Sequence, residues 1–395
     1  MTMPRWLLPF ILALFLAATV QAAQVSPQTF RTLEQAGKLI DRKHYDQAIQ
    51  RLKQRLGKTQ AAAEKALLLR ALGSAYAAKG DYRQSVRYFQ QALDSGALPP
   101  EQARSVLRTL GQLHLALDQL HKAATLLERW LKTQPKLQAE DHLLLAQVYT
   151  RLARYRAALA QLNQAIAKAG RPRDEWLRLR VGLNYQLKRY DAAIADLKTL
   201  IRRHPEREED WRQLAGLYNL AGKRFDAAAV AALEDFLGFL DREREILNLV
   251  DMLRLVHVPY LAAERLQRAL KTRQVKADYR HWRLLADTWI EAREFQRAIA
   301  ALQRAARLSG NGRPWLRLAQ LHLEREDWNE AVTALKTALR KGGLRNPGQA
   351  WLLLGSAYFE TGRTAAARQA FAQAKRFPST RKSATQWLKY LQQHP

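Results

Sequence analysis

The sequence predicts an all-α protein, a solenoid of about ten helix pairs closed by a C-terminal helix. Three observations predict it. A motif recurs about every 34 residues along the 395-residue chain. Inside each repeat, apolar residues are spaced by three, four and seven, the mark of one helix face. The composition favours helix formers, and 13 prolines and 18 glycines are too few to build long irregular linkers.

Gly73, in the phrase LGSAYAAKGDY (72–82), sets the register, and LGSAYFETG (354–362) repeats it almost word for word. A small or compact residue occupies the same place at Ala36, Gly111, Ala146, Val181, Ala215, Val250, Ala286, Ala319 and Gly355. Leucine often precedes this anchor, as at Leu72, Leu110, Leu145 and Leu354. A large residue follows three later (Tyr76, Tyr149, Tyr218, Trp289, Tyr358) and an aromatic nine later (Tyr45, Tyr82, Tyr155, Phe295, Trp328). Alanine follows twelve later (Ala48, Ala123, Ala158, Ala193, Ala298, Ala331, Ala367), and tryptophan lies four before at Trp211, Trp282, Trp315 and Trp351.

Each repeat therefore reads as two antiparallel helices. Gly80, Gly222 and Gly362 stand at the joint, where a left-handed residue ends the first helix. Pro135, Pro205 and Pro378 stop second helices. One hairpin cannot bury its apolar face alone, so each packs on the next. Residues 23–378 make ten such repeats, and 379–395 place Ala384, Trp387, Leu388 and Leu391 on one face of a capping helix. Residues 224–260 fit less well. Arg224 replaces an aromatic, Ala231 a large apolar residue, and Pro259 opens a second helix, which reads as an irregular repeat or a hinge.

The spacing Trp–Leu–Gly–Tyr–Gly–Tyr–Ala–Phe–Ala–Pro resembles the tetratricopeptide repeat (TPR). LLLRALGSAYAAKGDYRQSVRYFQQAL (67–93) and AWLLLGSAYFETGRTAAARQAFAQA (350–374) carry the likeness most closely. The resemblance implies a right-handed superhelix whose concave wall is lined by first helices.

Residues 1–22 stand apart. Arg5 precedes the apolar run Trp6–Val20, and Val20-Gln21-Ala22 supplies small residues for cleavage after Ala22, as in a secretory signal. The run is 15 residues, shorter than the roughly 20 of a spanning helix, although an uncleaved membrane anchor is the alternative. There is no cysteine, hence no disulfide, no cysteine metal site and no lipid-acceptor thiol. This usage suits an exported protein of an oxidising compartment such as the periplasm.

The chain carries a formal charge of +29, and +28 without Arg5. Such a charge attracts anionic partners, which for an exported protein are acidic proteins, wall polymer or lipid headgroups rather than nucleic acid. A solvated arginine face without a ligand is the plain alternative. Residues 206–270 run against the trend, with 9 basic and 12 acidic residues.

The sequence contains no catalytic constellation, and it implies no cofactor. HExxH, GxSxG and GxxxxGK[ST] are all missing. His114 and His322 hold the slot three after the anchor, where packing explains them better than metal binding. Ser379-Thr380-Arg381-Lys382 matches SxxK without its partner motifs.

A solenoid works by offering a long surface. The open face of each first helix is expected to show positions three before, one after and four after the anchor. These give Arg70, Arg108, Arg178, Arg212 and Arg283, then Gln112, Gln147, Asp251, Asp287 and Gln320, then Tyr185, Asn219 and Arg254. Guanidinium forks suit carboxylates and amides suit a peptide backbone, so the expectation is a basic groove holding an acidic or extended segment of a partner.

FRTLEQAGKLIDRKHYDQAIQRL (30–52), VPYLAAERLQRAL (258–270), REFQRAIAALQRAA (293–306), GGLRNPGQAWLLLGSAYFETG (342–362) and SATQWLKYL (383–391) look like the exported TPR proteins encoded beside TonB–ExbB–ExbD systems. That resemblance implies a periplasmic accessory of proton-driven energy transfer, acting through TonB-system components, and it transfers no catalytic residue. Two other classes stay open: a scaffold for envelope polysaccharide export or assembly, and a binder of anionic wall or lipid components.

Overall fold

The computed structural model describes residues 25–394; the expected signal segment 1–22 lies outside the described residues. Among these residues the secondary structure is helical throughout, with no strand. The helices are α1 (Pro27–Asp41), α2 (Tyr45–Lys58), α3 (Ala62–Lys79), α4 (Tyr82–Asp94), α5 (Pro100–Ala116), α6 (Leu120–Thr133) and α7 (Ala139–Arg151). They continue as α8 (Tyr155–Ala169), α9 (Asp174–Gln186), α10 (Tyr190–Arg203), α11 (Glu208–Leu220), α12 (Arg224–Phe236), α13 (Glu243–Leu255) and α14 (Pro259–Lys271). The last are α15 (Tyr279–Glu291), α16 (Phe295–Leu308), α17 (Arg313–Glu324), α18 (Trp328–Lys341), α19 (Pro347–Glu360), α20 (Thr364–Ala374) and α21 (Arg381–Gln393). Odd-numbered helices up to α19 are first helices of a repeat, each joined to its even-numbered partner by two or three residues.

Every joint is built the same way. The residue seven after the anchor is left-handed in each repeat: Gly80 (φ 90°), Gly222 and Gly362, but also Lys43, Asp118, Ala153 (φ 54°), Lys188, His257, Arg293 and Glu326. The next N–H then reaches back five residues to a carbonyl, as in Asp81 N to Tyr76 O (2.9 Å) and Arg154 N to Tyr149 O (2.9 Å). This Schellman closure satisfies carbonyls that the helix end would otherwise leave open. Side chains with a Cβ adopt that conformation at a cost of roughly 1 kcal/mol each. Packing of the hairpin overrides the local preference.

The anchor explains the close approach of paired helices. A Cβ on Gly73 would sit 2.7 Å from the Phe89 ring, and one on Gly355 2.5 Å from Phe371. At most alanine anchors the residue sixteen later is leucine: Ala36 with Leu52, Ala146 with Leu162, Ala286 with Leu302, all buried together. Gly111 faces Leu127 and Ala215 is followed by Ala231, so a small anchor beside a larger residue is kept in most repeats and not in all. The alanines twelve after the anchor are fully buried as well.

The chain divides into two compact units at Asp196/Leu197, inside α10. In the first, successive cores include the clusters around Leu52, Leu127 and Leu162. In the second, a continuous core runs from Ala228 to Ala370. Residues 224–260 form regular helices within it, and Pro259 falls in the first turn of α14, where its missing N–H costs nothing. At the C-terminal end α21 buries Ala384 and Leu391, and Trp387 stacks on Phe371 with ring centroids 5.2 Å apart.

Candidate partner-binding faces

Residues about one repeat apart stand opposite each other on neighbouring helix pairs, and the charged ones use this. In the first unit Lys79 pairs with Asp46 (2.5 Å), Arg151 with Asp118 (2.7 Å) and Arg173 with Glu140 (3.1 Å). In the second, Arg265 meets Asp235 (2.7 Å) and Arg254 meets Glu291 (2.6 Å). Exposed pairs of this kind contribute about 0–1 kcal/mol each. Arg265 and Asp235, with side chains 8% and 14% exposed, are bound far more tightly to one another's presence.

The arginines expected on the open face divide on this basis. Arg108 on α5 lies 3.7 Å from Asp141 on α7 and 5.1 Å from the centre of the Trp130 ring, a staple between repeats. Arg212 on α11 contacts Glu208 one turn earlier. Arg283 on α15 lies 3.8 Å from Asp287 and 5.9 Å from the Tyr279 ring. Arg178 on α9 is partly buried.

Arg70 on α3 differs. Its Nε, like that of Arg108, is buried without a hydrogen-bond partner, but no carboxylate lies within ion-pair distance of Arg70 among the described residues. Burial pulls its pKa below the ordinary arginine range. The place filled by Asp141 beside Arg108, five before the next anchor, is filled by Val106 in the repeat after Arg70. A partly buried guanidinium without an ion pair suits an incoming anion.

The polar positions also separate. Gln147 is partly buried, while Tyr185 and Asn219 are exposed, Tyr185 by 49% with its ring 6.4 Å from that of Tyr190. Gln112 does not stand on an open face: it is buried, because α5 is enclosed along Thr109–Leu115. Of these nine residues, Arg70, Arg108, Gln112, Gln147, Arg178 and Tyr185 belong to the first unit and Arg212, Asn219 and Arg283 to the second.

His114 and His322, each 6% exposed, close the turns that follow them. His114 Nδ1 lies 2.7 Å from Gln119 Oε1, and His322 Nδ1 lies 3.2 Å from Asp327 Oδ2. Burial pushes the His114 pKa down.

The sequence reasoning missed Glu234 on α12. It is 4% exposed, it makes no hydrogen bond or ion pair among the described residues, and burial pushes its pKa up to about 7. Arg212 opposes that shift, and Glu208 and Glu245 add to it. Position nineteen after the anchor is a buried alanine in several repeats (Ala165, Ala269, Ala305), and a carboxylate there was the available signal.

The tetratricopeptide repeat family matches this chain over residues 70–137, 261–312 and 316–380, and the bacterial transcriptional activator domain matches residues 162–246. No curated protein sequence matches it. Among solved structures it is similar to a tetratricopeptide repeat protein from Parabacteroides merdae ATCC 43184, at 16% identity over 75% of this chain and 100% of that one, with a TM-score of 0.41. It is also similar to the Cut9–Hcn1 hetero-tetramer of the APC/C (14% identity, 98% and 92% covered, TM-score 0.29). A third is MamA from Desulfovibrio magneticus RS-1 (19% identity, 43% and 93% covered, TM-score 0.35). Likeness at these scores carries no argument about function.

Proposed function

We propose that this chain, which carries tetratricopeptide repeats over residues 70–137, 261–312 and 316–380, is an exported protein-interaction scaffold that holds an acidic or extended segment of its partner on the first helices of its N-terminal unit. Tetratricopeptide repeats are scaffolds for protein contact, which is the premise. The carrying observation is Arg70, a partly buried arginine without an ion pair among the described residues, where its counterpart Arg108 is stapled to Asp141. A carboxylate of the partner completes the site as Asp141 completes that of Arg108. Gln147, Arg178 and Tyr185 supply the neighbouring polar surface of the same unit.

The finer assignment is a periplasmic accessory of a TonB-type energy-transduction system. It is supported by the signal-like residues 1–22, the absence of cysteine, and the phrases shared with exported proteins of that kind. The test is affinity capture from periplasmic extract with the purified chain as bait, at 0.1 M and 0.5 M salt. Recovery of TonB-system components at both salts is expected. Absence of the chain from the periplasmic fraction contradicts the assignment.

A second reading, binding of an anionic envelope polymer, is favoured by the charge of +29. Attraction of that origin is screened beyond about 10 Å at 0.1 M salt and about 3 Å at 1 M. Capture of polymer that collapses between the two salts, with no protein retained, would decide for it.

A further inference from the structure

The C-terminal unit carries a cleft of opposite character. It has a volume of about 650 Å³, within the range of ligand-sized sites, and lies where the ends of α13 and α15 approach the start of α14. Arg254 stands on one wall and is held in two-pronged fashion across the repeat boundary: Nη2 donates to Glu291 Oε1 (2.6 Å) and Nε to Glu291 Oε2 (2.9 Å). This contact raises the Arg254 pKa and lowers that of Glu291, so both remain ionised.

Arg254 faces two carboxylates, Glu291 and Asp251, so the three groups together carry one net negative charge. Asp251 is 67% exposed and 3.6 Å from the same guanidinium. Asp287 also acts on Arg254, but it is balanced by Arg283 at 3.8 Å. The apolar part of the cleft is Leu255 and Pro259, and Leu255 is 59% exposed at the end of its helix. The cleft thus sets a leucine largely open to water beside a surplus negative charge.

We propose that this cleft docks a short basic segment of a partner protein, an apolar side chain resting on Leu255 and Pro259 while a lysine or arginine meets Asp251. Charge decides the occupant. The cleft sits in the stretch 206–270, where 12 acidic residues outnumber 9 basic ones in a chain otherwise strongly positive. Exposed charges more than about 8 Å away are screened at physiological salt, so the local sign governs a short peptide. A whole second copy, by contrast, brings its own charge of +29. This site is independent of the Arg70 reading and takes the opposite ligand.

The experiment is a fluorescence anisotropy titration of the full chain with a dye-labelled nonapeptide of three Lys-Leu-Pro repeats, and with its Glu-Leu-Pro counterpart. The lysine peptide is expected to bind, and the double variant Asp251→Asn/Leu255→Ser to weaken it about ten-fold, a loss of about 1.4 kcal/mol. Arg70→Ala leaves the lysine titration unchanged, which separates failure here from failure of the Arg70 reading. Leu255→Arg, a single change at an exposed helix end, gives the same loss should the double variant not fold. No binding of the lysine peptide to the native chain, equal affinity for native and variant chains, or equal affinity for the glutamate peptide overturns the proposal. So does a concentration-dependent dimer, seen by sedimentation, that the same variants abolish, because the occupant is then a second copy.

Discussion

Arg70 and Arg108 occupy the same place in consecutive repeats, and they do different things. Arg108 lies over Trp130 and pairs with Asp141 of the following repeat. Both keep a buried Nε without a hydrogen-bond partner, but Arg70 has no ion pair among the described residues, and Val106 stands where the acid would be. Repeat position alone therefore does not make an arginine a ligand group. The residue facing it from the next repeat decides. The equivalent niche in the C-terminal unit shows a third outcome: Arg212 in the arginine place, Glu234 where Trp130 stands, and Glu245 where Asp141 stands.

The third niche gives the largest test of the comparison. Burial raises the folded pKa of Glu234 to about 7, above its ordinary value of 4.5. The stabilisation from the raised pKa is full below the unfolded value and is lost as pH rises through 7. A displacement of that size corresponds to at most about 3 kcal/mol between pH 4.5 and pH 8. Urea unfolding at pH 5 and pH 8 should show that loss in the native chain, and Glu234→Gln should remove it. Equal pH dependence in the two chains would break the parallel between the niches.

Next in size is Asp141→Ala. It strands the partly buried Arg108 and also removes the capping contact from Gln138 N to Asp141 Oδ2 (2.8 Å), so a loss of about 2 kcal/mol is expected in urea unfolding. A smaller effect of opposite sign sharpens the comparison at another shared position. Ala153 and Gly80 both stand seven after the anchor with positive φ, and Ala153→Gly should raise stability by about 1 kcal/mol in the same assay. The smallest is Arg70→Ala. An arginine without a partner has little to lose, and a stability change within about 0.5 kcal/mol is expected by thermal melting.

Much of the fold was legible in the sequence because each repeat restates the same packing rule. Gly73 with Phe89, and Ala36 with Leu52, answer one volume constraint. The turns were legible only in part. Three glycines mark them in the sequence, but all ten joints take the left-handed residue, and at Lys43 or Glu326 tertiary packing imposes what local preference resists. The candidate site was less legible still. Five arginines share one position, yet the partner that cancels Arg108 lies 33 residues on, in a different repeat. Gln112 reads as open by position and is enclosed because α5 is surrounded along most of its length. Of the Leu255 cleft, the repeat register places Asp251 and Arg254 on the open face, but Leu255 itself looks like any core leucine until its neighbours are placed.

The central claim is that Arg70, and not Arg108, grips a partner. The direct measurement is quantitative capture from periplasmic extract by the native chain, Arg70→Ala and Arg108→Ala, each with its melting temperature recorded alongside. Arg70→Ala is expected to melt like the native chain and to lose the captured protein, whereas Arg108→Ala melts earlier. Full retention of that protein by Arg70→Ala would contradict it.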